Sequence, residues 1–239
     1  MPATSHLLSL ADPKIAAMPT LDCGEQLVPL NGMHPRLSVD DSAANIACVG
    51  YVPTFVARET VARRLITAAT NLPSGFRLLI KESLRPGSLQ TFYFERRLSR
   101  ISAENPALTE LEAIALTAQF VAPPLVAGHP TGGAIDVTLS DCEGNELDLG
   151  CGYDEDAAAS KGACFSGCAG LDAVATANRL VLFRALEEVG FVNYPFEWWH
   201  WSYGDRYWAV VQHQPHAIYG PVNDATSERT AGPFISGVG

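Results

Sequence analysis

The chain has 239 residues, 47% apolar and 18% charged, with a formal net charge of −10 at pH 7. Such a length and balance suit one generous domain or two small ones with a sizeable core, and exclude global disorder; the acidic excess disfavours nucleic acid and anionic membrane as general partners. No run of about 18 apolar residues is present, so no membrane span is expected, and the start MPATSHLLSLADPKIAAMP lacks the basic and apolar regions of a secretory signal, so a cytoplasmic protein is expected, with a periplasmic one the alternative if a signal was trimmed.

Residues 1–45, with scattered Pro, Gly and Asp, are expected to form an irregular N-terminal arm packed on a main domain of residues 46–239. From Thr60 the spacing of Val61, Leu65, Ile66 and Ala69 predicts a helix that stops before Pro73. Phe76 to Glu82 reads as a mostly buried strand, broken at Arg85-Pro86-Gly87. A second helix is expected from Ser88 to about Ser99. A third runs from Thr109 to Phe120, opened by Thr109 with Glu112 three residues on, a capping-box pattern. A Gly-rich turn, His129 to Gly133, leads into a strand from Ala134 to Leu139. The Gly-, Ala- and Cys-rich stretch from Asp141 to Gly170 is too long for a simple connection and reads as a functional or mobile loop. Asp172 can cap a long helix through about Val189, with Gly190 as its stop. Two last strands, His200 to Tyr203 and Arg206 to Gln212, flank Gly204-Asp205 as a hairpin. The tail from Pro215 is turn-rich. The sum is one α+β domain with a mainly antiparallel central sheet flanked by helices. The six cysteines (Cys23, Cys48, Cys142, Cys151, Cys164, Cys168) are too sparse for a disulfide framework and read as free thiols or one local bridge.

Three stretches can carry chemistry. In His129-Pro-Thr-Gly-Gly-Ala-Ile-Asp136, strand alternation puts Asp136 on the face opposite Ile135, Val137 and Leu139, where a carboxylate needs a partner or a cation. The glycines let the turn fold back so that His129 reaches the same point; the same letters also read as a surface turn and a solvated Asp. In Glu197-Trp-Trp-His200, a spacing of three puts both polar groups on one face of a helical turn, although a tryptophan cluster equally suits plain core. Arg85, at the end of a buried strand, can meet a carboxylate or a developing oxyanion, or be an ordinary loop arginine. Taken jointly, His129, Asp136 and His200 make a two-imidazole, one-carboxylate set that suits a catalytic zinc, one per chain. Glu197 is then the spare carboxylate beside the attacking water. His213 and His216 are expected in a surface turn, and His6 and His34 in the arm, all outside the metal site.

These residues resemble the D-alanyl-D-alanine dipeptidase family, the VanX-like branch of the zinc metallopeptidases that also holds D,D-carboxypeptidases. The family pattern is Ser-x-His-x-x-Gly-x-Ala-x-Asp followed by Glu-x-x-His, with Tyr-Arg-Pro upstream. The chain supplies His129, Gly132, Ala134 and Asp136, then Glu197-Trp-Trp-His200 continued by Trp201-Ser-Tyr-Gly-Asp205, with Leu84-Arg85-Pro86 upstream. Gly150-Cys-Gly-Tyr-Asp154 is similar to the family's Gly-x-x-Phe-Asp stretch, and the likeness runs from roughly Ser38 to Tyr219. The resemblance implies a fold shared with the Hedgehog signalling domain, zinc on His129, Asp136 and His200, Glu197 as the acid/base and Arg85 as transition-state stabiliser. It also implies a small dipeptide as substrate, D-Ala-D-Ala foremost. A D,D-carboxypeptidase acting on peptidoglycan stems and a non-catalytic zinc-binding domain are the alternatives. Two positions depart from the pattern: Ala127 stands where the family has Ser and Leu84 where it has Tyr. Neither is a ligand or the base, so hydrolysis is expected to survive, and both bear on strict D-Ala-D-Ala preference.

Overall fold

The computed structural model describes residues 7–222; His6 and the tail beyond residue 222 lie outside the described residues. Around a central sheet run short helices α1 (Pro13–Ala17), α2 (Ala43–Val49) and α7 (Arg206–Val211) and longer helices α3 (Glu59–Asn71), α4 (Gly87–Glu104), α5 (Glu110–Thr117) and α6 (Ala173–Glu187). The strands are β1 (Leu27–Pro29), β2 (Leu37–Val39), β3 (Val56–Arg58), β4 (Arg77–Glu82), β5 (Ala134–Ser140), β6 (Val192–Tyr194) and β7 (Glu197–Ser202). Five of them form one sheet in the order β2-β4-β5-β7-β6, while β1 and β3 pair as a separate ribbon. Only the β2–β4 pair is parallel; the other ladders of the sheet are antiparallel. The α+β class and the mainly antiparallel sheet are those expected from the sequence.

The sheet's hydrophobic side follows from the alternation of β5. Ile135, Val137 and Leu139 join Leu78 and Ile80 of β4, Trp201 of β7, Val61 and Leu65 of α3, and Leu182 and Leu186 of α6 in one buried cluster. Burying each such side chain is worth about 1.5–3 kcal/mol, so this face anchors the fold. The other face of the same strands carries polar groups in register: Glu82 pairs with Asp136, and Asp136 pairs with His200. A row of two carboxylates and an imidazole thus crosses three central strands.

Most longer elements lie where the sequence puts them. The capping box is complete, the Thr109 backbone N–H donating to Glu112 Oε2 at 2.8 Å and the Glu112 N–H to Thr109 Oγ1 at 3.3 Å. The Asp172 side chain accepts from the Ala175 N–H at 2.8 Å to start α6. Helix α4 outruns the expected Ser99, continuing to Glu104, because no breaker precedes Asn105-Pro106. The first 45 residues are not irregular throughout, since α1, β1 and β2 fall there and β2 extends the main sheet.

Two expectations are corrected. Arg206–Val211 is a helix and no hairpin turns at Gly204-Asp205: the Asp205 side chain accepts the Trp208 N–H at 2.8 Å, an N-cap that starts α7. Glu197-Trp-Trp-His200 is strand, not helical turn. Trp198, Trp199 and Trp201 suit a pleated, fully buried strand, and that preference outweighs the i,i+3 pattern.

Gly204 makes the corner between β7 and α7 with φ +76°, and an added Cβ would stand 2.4 Å from the Tyr219 ring. Gly204→Ala should therefore cost about 1–3 kcal/mol in urea unfolding, through left-handed backbone strain and collision with Tyr219; an unchanged midpoint would show that the corner relaxes freely.

Candidate active site

Three elements deliver the three clustered side chains to one pocket. Asp136 and His200 come from the facing register positions of β5 and β7. His129 opens a single 3-10 turn, His129–Thr131, closed by Gly132 at φ 71°. That turn lies tight against the start of α7: a Cβ on Gly128 would fall 2.2 Å from Asp205 Oδ2 and 2.7 Å from Ala134 Cβ. The Thr131 hydroxyl stitches the turn, donating to Gly128 O at 2.6 Å and accepting from the Gly133 N–H at 3.0 Å. The glycines thus do what the sequence asks of them and bring His129 back over β5.

The three side chains converge. His129 Nε2 lies 3.2 Å from His200 Nδ1 and 3.3 Å from Asp136 Oδ1, and His200 Nδ1 lies 3.0 Å from the same Asp136 oxygen. Among the described residues this is the one group of three or more His, Cys, Asp or Glu side chains whose ligand atoms gather so closely, all within 4.8 Å. His129 Nδ1 is 2.7 Å from Ser83 O. Donating its proton there leaves the Nε2 lone pair aimed at the other two ligand atoms. The Tyr153 hydroxyl donates to Asp136 Oδ2 at 3.0 Å, fixing the carboxylate from behind. Burial works against both charges, but the imidazoles hold Asp136 well below the usual carboxylate range and Asp136 holds His129 above the usual imidazole one. Lone pairs aimed at one another in a buried space, with their outer sides tied to a carbonyl and a phenol, are a donor set waiting for a cation. Two nitrogens and one oxygen suit zinc with a position left for water.

Glu197 stays outside this trio. Its Oε2 is 4.0 Å from His200 Nδ1, and it lines the same pocket. Burial, then the charges of Asp136 and Asp154, push its pKa well above the ordinary value. Arg85 lines the pocket as well. Its Nε donates to Glu82 Oε1 at 2.6 Å, its Nη2 to Glu82 Oε2, and its Nη1 to Gln90 Oε1 at 2.8 Å. Gln90 is in turn fixed by donating to Ala122 O at 2.8 Å.

The remaining walls include Leu10, Phe120, Ala122, Ala127, Tyr194 and Trp199. The long loop contributes Asp154, and the N-terminal arm contributes Leu10. Leu84 is buried, bridges Thr54 and does not line the pocket. His213 is exposed beyond α7, His216 is half-buried there, and His34 bonds the Arg36 N–H at 3.2 Å; none of the three lines the pocket. All six cysteines are free thiols.

Three participants escaped the sequence reading. Glu82 carried a signal, a carboxylate three residues before Arg85. Tyr153 and Asp154 lay in the quoted Gly150–Asp154 stretch without a role. Asp154 has φ 62°, in the left-handed region, and burial followed by the charges of Glu82 and Asp136 pushes its pKa up to about 7.

A buried two-imidazole, one-carboxylate trio with a free carboxylate beside it is the arrangement of a metal-dependent hydrolase. Sequence comparison agrees. The D-ala-D-ala dipeptidase family model of M15 peptidases matches residues 51–219. A D-alanyl-D-alanine dipeptidase of Synechocystis sp. is 29% identical over 241 residues, spanning 86% of this chain and 95% of the relative. One from Escherichia coli (strain K12) is 32% identical over 130 residues, 54% of this chain and 56% of the relative. The crystal structure of the vancomycin resistance D,D-pentapeptidase VanY in complex with Zn(II) aligns with a TM-score of 0.40 at 13% identity, over 81% of this chain and 86% of that one. The chain belongs to the D-ala-D-ala dipeptidase family of metallopeptidases.

Glu82 is 1% exposed and also accepts from the Tyr51 hydroxyl at 2.6 Å. Glu82→Ala strips the counter-charge from a mostly buried guanidinium, so it should lower unfolding free energy in urea by about 3–5 kcal/mol. A loss below about 1 kcal/mol, the value of an exposed pair, would mean that Arg85 has another partner.

Proposed function

We propose that the protein hydrolyses a small dipeptide, most favourably D-Ala-D-Ala, with one zinc ion held by His129, Asp136 and His200. The observation that carries this reading is the split of roles among buried groups: three ligand atoms gathered within 4.8 Å, and Glu197 on the same pocket but outside the cluster. A purely structural metal site has no use for a free carboxylate and a guanidinium facing the same space, which argues against the non-catalytic alternative.

When bound, zinc lowers the pKa of its water to about 7 and polarises a carbonyl. The chain's own residues do the rest. Glu197 accepts the proton of the attacking water at its carboxylate, whose pKa burial and then the charges of Asp136 and Asp154 raise above the ordinary value. It then passes that proton to the leaving amine. Arg85, held rigid by Glu82 and Gln90, presents its guanidinium to the oxygen that gains charge. Asp154 lines the pocket as an acidic group without a dedicated cation, a natural partner for the substrate's ammonium group. Trp199, with Tyr153 edge-on to it at 5.7 Å, walls the site from water. Leu10 and Phe120 close the space around a short ligand, which favours a dipeptide over a peptidoglycan stem. Ala127, on the wall in place of the family's Ser, leaves the pocket one hydroxyl poorer.

Glu197→Ala should keep zinc but lose about 10²–10⁴-fold in turnover of D-Ala-D-Ala; near-normal turnover would remove Glu197 as the base. His129→Ala should instead lower zinc content itself, measured by metal analysis after dialysis, and full occupancy would take His129 out of the ligand set. Asp154→Asn should raise KM for the dipeptide about 10–100-fold, the worth of a charged hydrogen bond, with kcat much less affected; an unchanged KM would place the ammonium elsewhere. A panel of D,D-, L,D- and L,L-dipeptides beside a pentapeptide stem, assayed with zinc-loaded protein, tests the substrate directly. Release of D-Ala from the stem but not from the dipeptide would favour the carboxypeptidase reading.

A further inference from the structure

Glu197 and His200 are three residues apart on a strand, and regular alternation sends such residues to opposite faces. Both nevertheless line the same pocket. The cause is an irregularity in the β6–β7 ladder. Asn193 and Tyr194 are consecutive on β6, yet they pair with Trp201 and Glu197, so Trp198, Trp199 and His200 are extra on β7. An odd number of extra residues reverses the alternation and returns Glu197 to the side of His200.

Such a bulge frees backbone carbonyls that the ladder no longer uses. One side chain gathers them. Asn193 Nδ2 lies 3.1 Å from Glu197 O, 3.2 Å from Trp198 O and 3.0 Å from His200 O. The carboxamide is itself oriented, because its Oδ1 accepts from the Ser166 hydroxyl. Ser166 is anchored by its own N–H to Pro195 O at 3.0 Å, and the long loop grips the bulge again where the Trp198 N–H donates to Cys164 O at 3.0 Å.

We propose that Asn193, oriented by Ser166, is the positioning residue that holds the β7 bulge and so sets the metal-binding His200 and the proton-carrying Glu197 on one side of the sheet. The proposal rests on the site reading given above. It also gives the loop of residues 141–170 a function: through Ser166 it holds the shape of the active strand. An Asp at position 193 keeps the size of the side chain but turns a donor into an acceptor facing three carbonyls. Loss of Ser166 Oγ leaves the carboxamide free to flip.

The test compares wild type, Asn193→Asp, Asn193→Ala and Ser166→Ala by chelator-competition zinc affinity, the visible spectrum of the cobalt-loaded protein, and kcat and KM on D-Ala-D-Ala, all well below each variant's melting temperature. The expected result is a zinc affinity weakened about 10–100-fold for the Asn193 variants, as for other residues that orient a ligand from behind. Their cobalt spectra should change and kcat should fall with KM within about threefold; Ser166→Ala should move the same way by less. If the Asn193 variants do not fold, Ser166→Ala alone decides. Folded variants with wild-type metal affinity, cobalt spectrum and kcat would overturn the proposal, even if their melting temperatures fall. A wild-type protein that binds no zinc would instead overturn the site reading, and the positioning role with it.

Discussion

Three carboxylates, those of Glu82, Asp136 and Glu197, are buried around one guanidinium and two imidazoles, and the more exposed Asp154 lines the same pocket. Buried charge is costly unless it is paired, and here pairing is unequal. Arg85 is committed to Glu82 by two hydrogen bonds. Asp136 depends on the two histidines, while at Asp154 and Glu197 loss of solvent, and after it the neighbouring carboxylates, raises the pKa. This excess of negative charge is the constraint around which the site is organised. On the proposed function, a divalent cation on Asp136 would relieve it, and a substrate ammonium beside Asp154 would relieve it further.

The fold supplies the rigidity that such a cluster needs. Asp136 sits on a central strand with its apolar neighbours Ile135 and Val137 locked into the main core, so its direction is fixed by the strongest packing in the molecule. Glu82 and His200 lie in register on either side of it. The ring of His129 is held from behind by the Ser83 carbonyl and the carboxylate of Asp136 by the Tyr153 hydroxyl. His129, Asp136 and Arg85 are thus each oriented by a partner outside the ligand trio, which is how a site keeps its geometry without its metal.

Much of this was legible in the sequence, for identifiable reasons. Helices α3, α5 and α6 carry caps or apolar spacing that act locally, and β5 declares its inner and outer faces by alternation. His129 and Asp136 were legible because a Gly-rich turn leads straight into a strand. The errors arose where tertiary context decides. The helical-turn reading of Glu197 and His200 followed from spacing alone, and the spacing is met by a bulge that only the partner strand reveals. The last hairpin became a helix because Asp205 serves as an N-cap, a role its letter shares with turn residues. Strands of three residues, such as β1, β2 and β6, leave too little periodicity to read. Asp154 and Tyr153 reach the site from a loop whose path no local pattern fixes.

The central claim is that His129, Asp136 and His200 share one zinc ion while Glu197 does not bind it. Anomalous diffraction at the zinc edge from crystals of the zinc-loaded protein measures this directly. The account predicts a single peak about 2.0–2.2 Å from His129 Nε2, His200 Nδ1 and an Asp136 carboxylate oxygen, with Glu197 beyond bonding distance. A peak ligated by Glu197 or by the cysteines, or no peak between the two imidazoles, would contradict it.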